Sequence, residues 1–145
     1  MIQLRASMLI ILTAVAACQK SEPKITGAEA TRVLERCIMA DALLSIDMQE
    51  RQASDTDFTP QMVAHIDEAI AACRLVGRID QSELPMDVRS CVNVYVLKPE
   101  VYEAAKPVLI DRRATARDVQ RLNKAFERLA AQERACKNPG PTTVV

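Results

Sequence analysis

Cysteine and histidine are the residues of this chain whose chemistry is most informative. The 145 residues contain five cysteines, at positions 18, 37, 73, 91 and 136, and a single histidine, His65. No two cysteines have the CxxC spacing of a thiol–disulfide oxidoreductase, and no CxxCH motif is present to attach haem. The cysteines are therefore expected to serve structure or anchoring rather than redox catalysis.

The first cysteine follows an N-terminal segment with the features of an export signal. Arg5 supplies a positive charge, residues 8–15 form an apolar run broken only by Thr13, and small residues precede Cys18. The sequence Val15-Ala16-Ala17-Cys18 resembles the lipobox of bacterial lipoproteins. In that family the cysteine thiol receives a diacylglyceryl group, the chain is cleaved before the cysteine, and the new amino terminus is acylated.

This resemblance implies a cellular location and a lipid anchor. Residues 1–17 would be the signal peptide, Cys18 the lipidated first residue, and residues 18–26 a polar tether. Because Gln19 is not the aspartate that favours inner-membrane retention in that family, the resemblance implies the periplasmic leaflet of the outer membrane. The alternative is an ordinary signal peptide that is cleaved nearby and leaves Cys18 as a free thiol. The apolar run is shorter than the roughly 20 residues of a membrane-spanning helix, and no second run follows.

Four cysteines remain after Cys18, and an even number in an exported domain is typical of disulfides, since the periplasm is oxidising. We predict two bridges, with four buried free thiols as the alternative. With the cysteines oxidised, one histidine does not make a zinc site, and neither a metal nor a cofactor is expected.

Other residues that could catalyse a reaction lack partners in the sequence. His65 could act as a general base, but no nucleophile or orienting residue is evident beside it. Asp67 and Glu68 are adjacent on a predicted helix and so point apart, and no glycine-rich phosphate loop is present. The chain is therefore predicted not to be an enzyme, and the contrasting hypothesis would need a site built around His65.

The composition favours helices as the elements that position these residues. Aromatic residues are 3% of the chain, tryptophan is absent and glycine occurs three times, which disfavours a sheet. We predict an all-α, up-down bundle of about four helices over residues 27–138, with a flexible tail at 139–145. Apolar periodicity and cap signals predict helices at 28–52, 60–76, 85–99 and 115–137.

The third predicted helix contains two prolines and an alternating valine pattern that bear on its length and type. Pro99 is expected to end it, and residues 100–110 are expected to form a short irregular helix because they contain Pro107. The alternation of Val92, Val94 and Val96 also suits a strand, although a lone strand would have no partner.

An up-down bundle brings all four cysteines toward one end. Three pairings are possible, and axial level does not choose among them. We favour Cys37 with Cys73 and Cys91 with Cys136, because each bridge then joins neighbouring helices.

A row of basic residues follows one ridge of the last helix at steps of three or four. This basic ridge consists of Arg113, Arg117, Arg121, Lys124 and Arg128. It is interpreted either as a solvated face that meets acidic residues of the same chain or as a docking surface for an acidic partner.

These features together predict a lipid-anchored, non-enzymatic protein that binds another envelope or effector protein. With 19 basic and 19 acidic residues the chain carries no net charge, which disfavours nucleic acid as a partner, and no small-molecule substrate is indicated. One hypothesis is an immunity protein that neutralises an effector acting in the periplasm. Pilotin-like lipoproteins, which assist secretion-system assembly, resemble the chain in lipobox, size and helical content, and a structural envelope role is a further alternative.

Overall fold

The computed structural model describes residues 22–137, so the predicted signal peptide, Cys18 and the tail at 139–145 lie outside the described part. Four α-helices account for most of it: α1 (Gly27–Ser54), α2 (Pro60–Arg74), α3 (Met86–Leu109) and α4 (Ala116–Lys137). Two short 3₁₀ turns, Leu75–Arg78 and Gln81–Glu83, connect α2 to α3. The predicted all-α fold with two disulfides is confirmed.

Local signals fix where α2 and α4 begin. Thr59 caps α2 by accepting a hydrogen bond from the backbone N–H of Met62 (3.2 Å), and Pro60 occupies the first helical position. Thr115 and Asp118 form a capping box, in which the N–H of each residue donates to the side chain of the other (2.8 and 3.3 Å). Both helices therefore begin where short-range chemistry predicts.

The third helix differs from the prediction that Pro99 ends it. Helix α3 runs without interruption from Met86 to Leu109 and includes Pro99 and Pro107, so no separate helix follows and the strand alternative is wrong. Proline inside a helix costs about 3 kcal/mol, because it removes one hydrogen bond and crowds the preceding turn. Packing beyond Pro99 offsets this cost, since Val101 and Ala104 are buried against α4.

Helix α4 packs mainly on α3. Leu122, Ala125 and Leu129 form its buried stripe and pack against α3, whereas few contacts reach α1 or α2. Helices α1, α2 and α3 pack in sequence around two further apolar clusters. The bundle is consequently open between α1 and α4.

The two disulfides have the favoured pairing. Cys37–Cys73 joins α1 to α2 with a Cα–Cα distance of 4.7 Å, and Cys91–Cys136 joins α3 to α4 with a distance of 4.6 Å. Val92, next to Cys91, packs in the same apolar cluster as Cys37 and Cys73. At this end of the bundle Cys37 and Cys73 therefore lie in one cluster, whereas Cys136 packs against the separate α3–α4 cluster.

The segment preceding α1 is also attached to this end. The backbone N–H of Ile25 donates to the carbonyl of Arg78 (2.8 Å), and the N–H of Asp80 donates to the carbonyl of Ile25 (2.9 Å). The Ile25 side chain is 7% exposed and belongs to the cysteine-containing cluster. The ordered domain thus includes Ile25, two residues before the predicted boundary at residue 27.

Candidate functional site

The opening between α1 and α4 forms an apolar groove whose floor is α3. Its cavity measures about 310 Å³, at the small end of the range for ligand sites. Helix α1 provides one wall through Leu44 and Met48, and α4 provides the other through Phe126 and Leu129. The remaining apolar lining comes from α2, α3 and the adjoining loops: Phe58, Ile66, Val101, Tyr102, Ala105, Leu109 and Ile110.

Aromatic residues are concentrated in this groove. The whole chain has two phenylalanines and two tyrosines, and three of these four, Phe58, Tyr102 and Phe126, line it. Phe126 is 48% exposed although it is among the largest apolar side chains of the protein. Aromatic side chains that stand half-exposed in a concave surface are typical anchors of binding sites.

The lining of the groove includes a polar cluster. Lys98 Nζ lies 3.2 Å from Asp41 Oδ1, and the Tyr102 hydroxyl donates to the same oxygen. Burial and, to a smaller extent, the Asp41 charge raise the pKa of the neighbouring Tyr95. A second lysine of the lining, Lys106, pairs with a carboxylate of α2 at 2.6 Å.

Because both lysines of the lining are paired within the chain, the groove presents apolar surface rather than free charge. It is suited to select an occupant by shape and hydrophobicity.

Four residues of the basic ridge, Arg117, Arg121, Lys124 and Arg128, lie on the other flank of α4. Arg113 precedes α4, which begins at Ala116, so its predicted place on the helical ridge is wrong. All five residues are exposed, and Arg128 makes two hydrogen bonds of 2.8 Å to the Glu100 carboxylate. Within residues 22–137 no ion pair involves Arg113, Arg117, Arg121 or Lys124. Lys124 and Phe126 are about 200° apart around the helix, so the structure does not bring the ridge into the groove.

His65 has an orienting partner that the sequence analysis did not find. Its Nδ1 lies 2.5 Å from Asp47 Oδ2, and the two side chains are 24% and 17% exposed. The pair joins α2 to α1 across 18 residues of sequence, a separation that no local pattern reveals. In the described part of the chain no hydroxyl or thiol is hydrogen-bonded to His65, and the residue does not line the groove.

The described residues contain neither a metal-binding cluster nor a membrane-spanning helix. Between residues 22 and 137 there is no group of three or more histidine, cysteine or carboxylate side chains that could hold a metal ion. None of the helices described has both the length and the hydropathy needed to cross a membrane.

Comparison of the chain with known protein families, characterised proteins and solved structures gives no match. The fold and site therefore define the class by themselves: a disulfide-linked helical protein with an open, aromatic-lined groove.

Proposed function

We propose that this protein is a non-enzymatic, lipid-anchored binding protein of the bacterial outer membrane, which holds an apolar segment of another envelope protein in its groove. The apolar groove carries the proposal. A lipid at Cys18 would keep the domain at the periplasmic face of the membrane, where such partners are assembled. Several acyl chains on one residue are sufficient for stable anchoring.

The dimensions of the groove suit an amphipathic helix. Its floor extends along α3 from Lys98 to about Leu109, which corresponds to roughly 17 Å of helix axis. A partner helix of about 11 residues would cover this length and could present apolar side chains at steps of three and four. The cavity of about 310 Å³ would accept apolar side chains from one face of such a helix.

A pilotin-like role in secretion-system assembly agrees best with this geometry, because that role requires a groove that accepts an amphipathic helix. Loss of the protein would then leave secretin subunits in the inner membrane. Membrane fractionation of a deletion strain, with immunodetection of the secretin, measures this directly. Correctly sorted secretin in the deletion strain would contradict the pilotin-like role.

The basic ridge favours a second candidate function, an immunity protein that neutralises an acidic effector. Four exposed cations without an ion pair in the described part of the chain are available to carboxylates of such a partner. Replacing Arg117 and Arg121 with glutamate should then abolish protection against the effector while leaving the groove intact. Full protection by this double variant would exclude the ridge as the inhibitory surface.

Co-purification tests the groove itself. The full chain would be isolated from detergent-solubilised membranes as wild type, as Phe126→Glu and as Val119→Glu, and the bound proteins quantified by mass spectrometry. Phe126 and Val119 are both on α4 and are 48% and 42% exposed, but only Phe126 lines the groove. We expect Phe126→Glu to lose the specific partner and Val119→Glu to retain it. Equal recovery of the same partner by both variants would refute binding in the groove.

A further inference from the structure

Helix α1 has an apolar face that is exposed to solvent instead of packing in the core. Ile38, Met39, Leu43 and Ile46 are between 39% and 66% exposed, although all four are large and apolar. In the structure the buried stripe is formed by Ala30, Cys37, Ala40 and Leu44, and the four exposed residues lie on the solvent side of α1. Large apolar side chains grouped on an exposed helix face are typical of an interaction site.

The spacing on this face is that of a helix–helix seam. Met39, Leu43 and Ile46 follow one another at steps of four and three, as the core positions of a coiled coil do. The same steps continue to Arg36 and Arg32 toward the N-terminus and to Glu50 toward the C-terminus. The seam is therefore basic at one end, apolar in the middle and acidic at the other end.

The charged ends of the seam are available for a partner. Arg32, Arg36 and Glu50 are exposed, and none of them takes part in an ion pair within the described residues. A helix that packs on this seam in the antiparallel sense, with the opposite order of charges, would meet complementary groups at both ends.

We propose that the occupant is a second copy of this chain, packed antiparallel through α1. The two-fold axis would cross the seam at the level of residue 41 along α1. It would set Met39 against Leu43 of the second copy and Arg32 against Glu50 of the second copy. Each contact occurs twice, as a symmetric dimer requires. A parallel pair would instead place Arg32 against Arg32 and Glu50 against Glu50.

The charge pattern also distinguishes this occupant from the membrane surface. A helix that lies on a bilayer with anionic lipids carries basic residues along its polar flanks. The α1 face carries Glu35 and Glu50 as well as Arg32 and Arg36 beside its apolar residues, so it offers no net positive charge to anionic lipid. Self-association pairs Glu50 with an arginine, so the second copy fits the pattern better.

Sedimentation equilibrium of the full chain in detergent tests the dimer. We expect wild type to dimerise and Leu43→Glu to weaken dimerisation at least about 30-fold. The apolar contact between Leu43 and Met39 of the second copy occurs twice in the dimer, and the substitution removes both copies of it. Val119→Glu serves as the matched control, since Val119 is exposed to a similar degree on α4, and it should dimerise like wild type. Circular dichroism should show that Leu43→Glu remains folded, because this side chain is 46% exposed.

A charge exchange tests the antiparallel register. Arg32→Glu and Glu50→Arg should each weaken the dimer, and the double variant should recover most of the wild-type affinity. A monomeric wild type at the highest soluble concentration would overturn the proposal, as would a dimer that Leu43→Glu leaves intact. Failure of the double variant to recover would overturn it too. Adsorption of monomers to phosphatidylglycerol vesicles that is lost in Leu43→Glu would assign the face to the membrane instead.

Discussion

Removal of each disulfide separately is expected to destabilise the protein to different extents, and the order depends on burial rather than on loop length. The bridges Cys37–Cys73 and Cys91–Cys136 close loops of 36 and 45 residues. Chain entropy alone values these loops at about 3.8 and about 4.0 kcal/mol, respectively, which is nearly equal. The longer loop has the slight advantage in that calculation.

The burial of the cysteines reverses the order of the expected stability losses. Cys37 and Cys73 are both 0% exposed, whereas Cys91 and Cys136 are partly exposed. Replacing two fully buried cysteines with alanine removes two sulfur atoms from the close-packed core and adds about 1 kcal/mol for each resulting void. We therefore expect the Cys37→Ala, Cys73→Ala variant to lose about 6 kcal/mol and the Cys91→Ala, Cys136→Ala variant about 4 kcal/mol.

Urea unfolding followed by circular dichroism measures both losses, with each variant compared with wild type under non-reducing conditions. A loss of about 6 kcal/mol would bring a domain of ordinary stability close to its unfolding limit. Equal losses, or a larger loss for the pair that joins α3 to α4, would refute the argument from burial. Unchanged unfolding midpoints for both variants would refute a stabilising role for the bridges.

Four further outcomes are expected. Thr59→Ala should lower the free energy of unfolding by about 1 kcal/mol in urea titration, because it removes the cap of α2. Hydrogen bonds from Thr115 lower the pKa of Asp118 below its ordinary 3.8, so the stability from this carboxylate is present above that value and is lost as the pH falls through the lowered pKa. Asp118→Asn should therefore flatten the loss of stability between about pH 5 and about pH 2. Pro99→Ala should stabilise the chain by about 1 to 2 kcal/mol in thermal unfolding, because it restores a hydrogen bond inside α3. Labelled palmitate should enter the wild-type chain in cells and should not enter Cys18→Ser.

Short-range chemistry accounts for the features that the sequence predicted well. Thr59-Pro60 and the Thr115–Asp118 capping box act within one helical turn, so the starts of α2 and α4 follow from adjacent residues. The favoured disulfides follow from the order of the helices, because each bridge joins neighbours in the chain. Pro99 misled the prediction for the opposite reason: the packing that retains it in α3 comes from α4, more than 20 residues away.

The groove depends on contacts that no local pattern encodes. Phe126 follows the apolar periodicity of α4, between the buried Leu122 and Leu129, yet it is half-exposed because the main packing partner of α4 is α3 rather than α1. Phe58 and Tyr102 come from a loop and from another helix, and only the tertiary structure brings them to the same cavity. The pair His65–Asp47 was missed likewise, since its members are on different helices.

Photo-crosslinking in living cells tests the proposed role of the groove most directly. A benzophenone amino acid would replace Phe126 in the groove or Val119 outside it, and the crosslinked peptides would be identified by mass spectrometry. The account predicts that position 126 captures an apolar, helix-forming segment of one envelope protein and that position 119 does not. Capture of the same peptide at both positions, or of no protein at position 126, would contradict it.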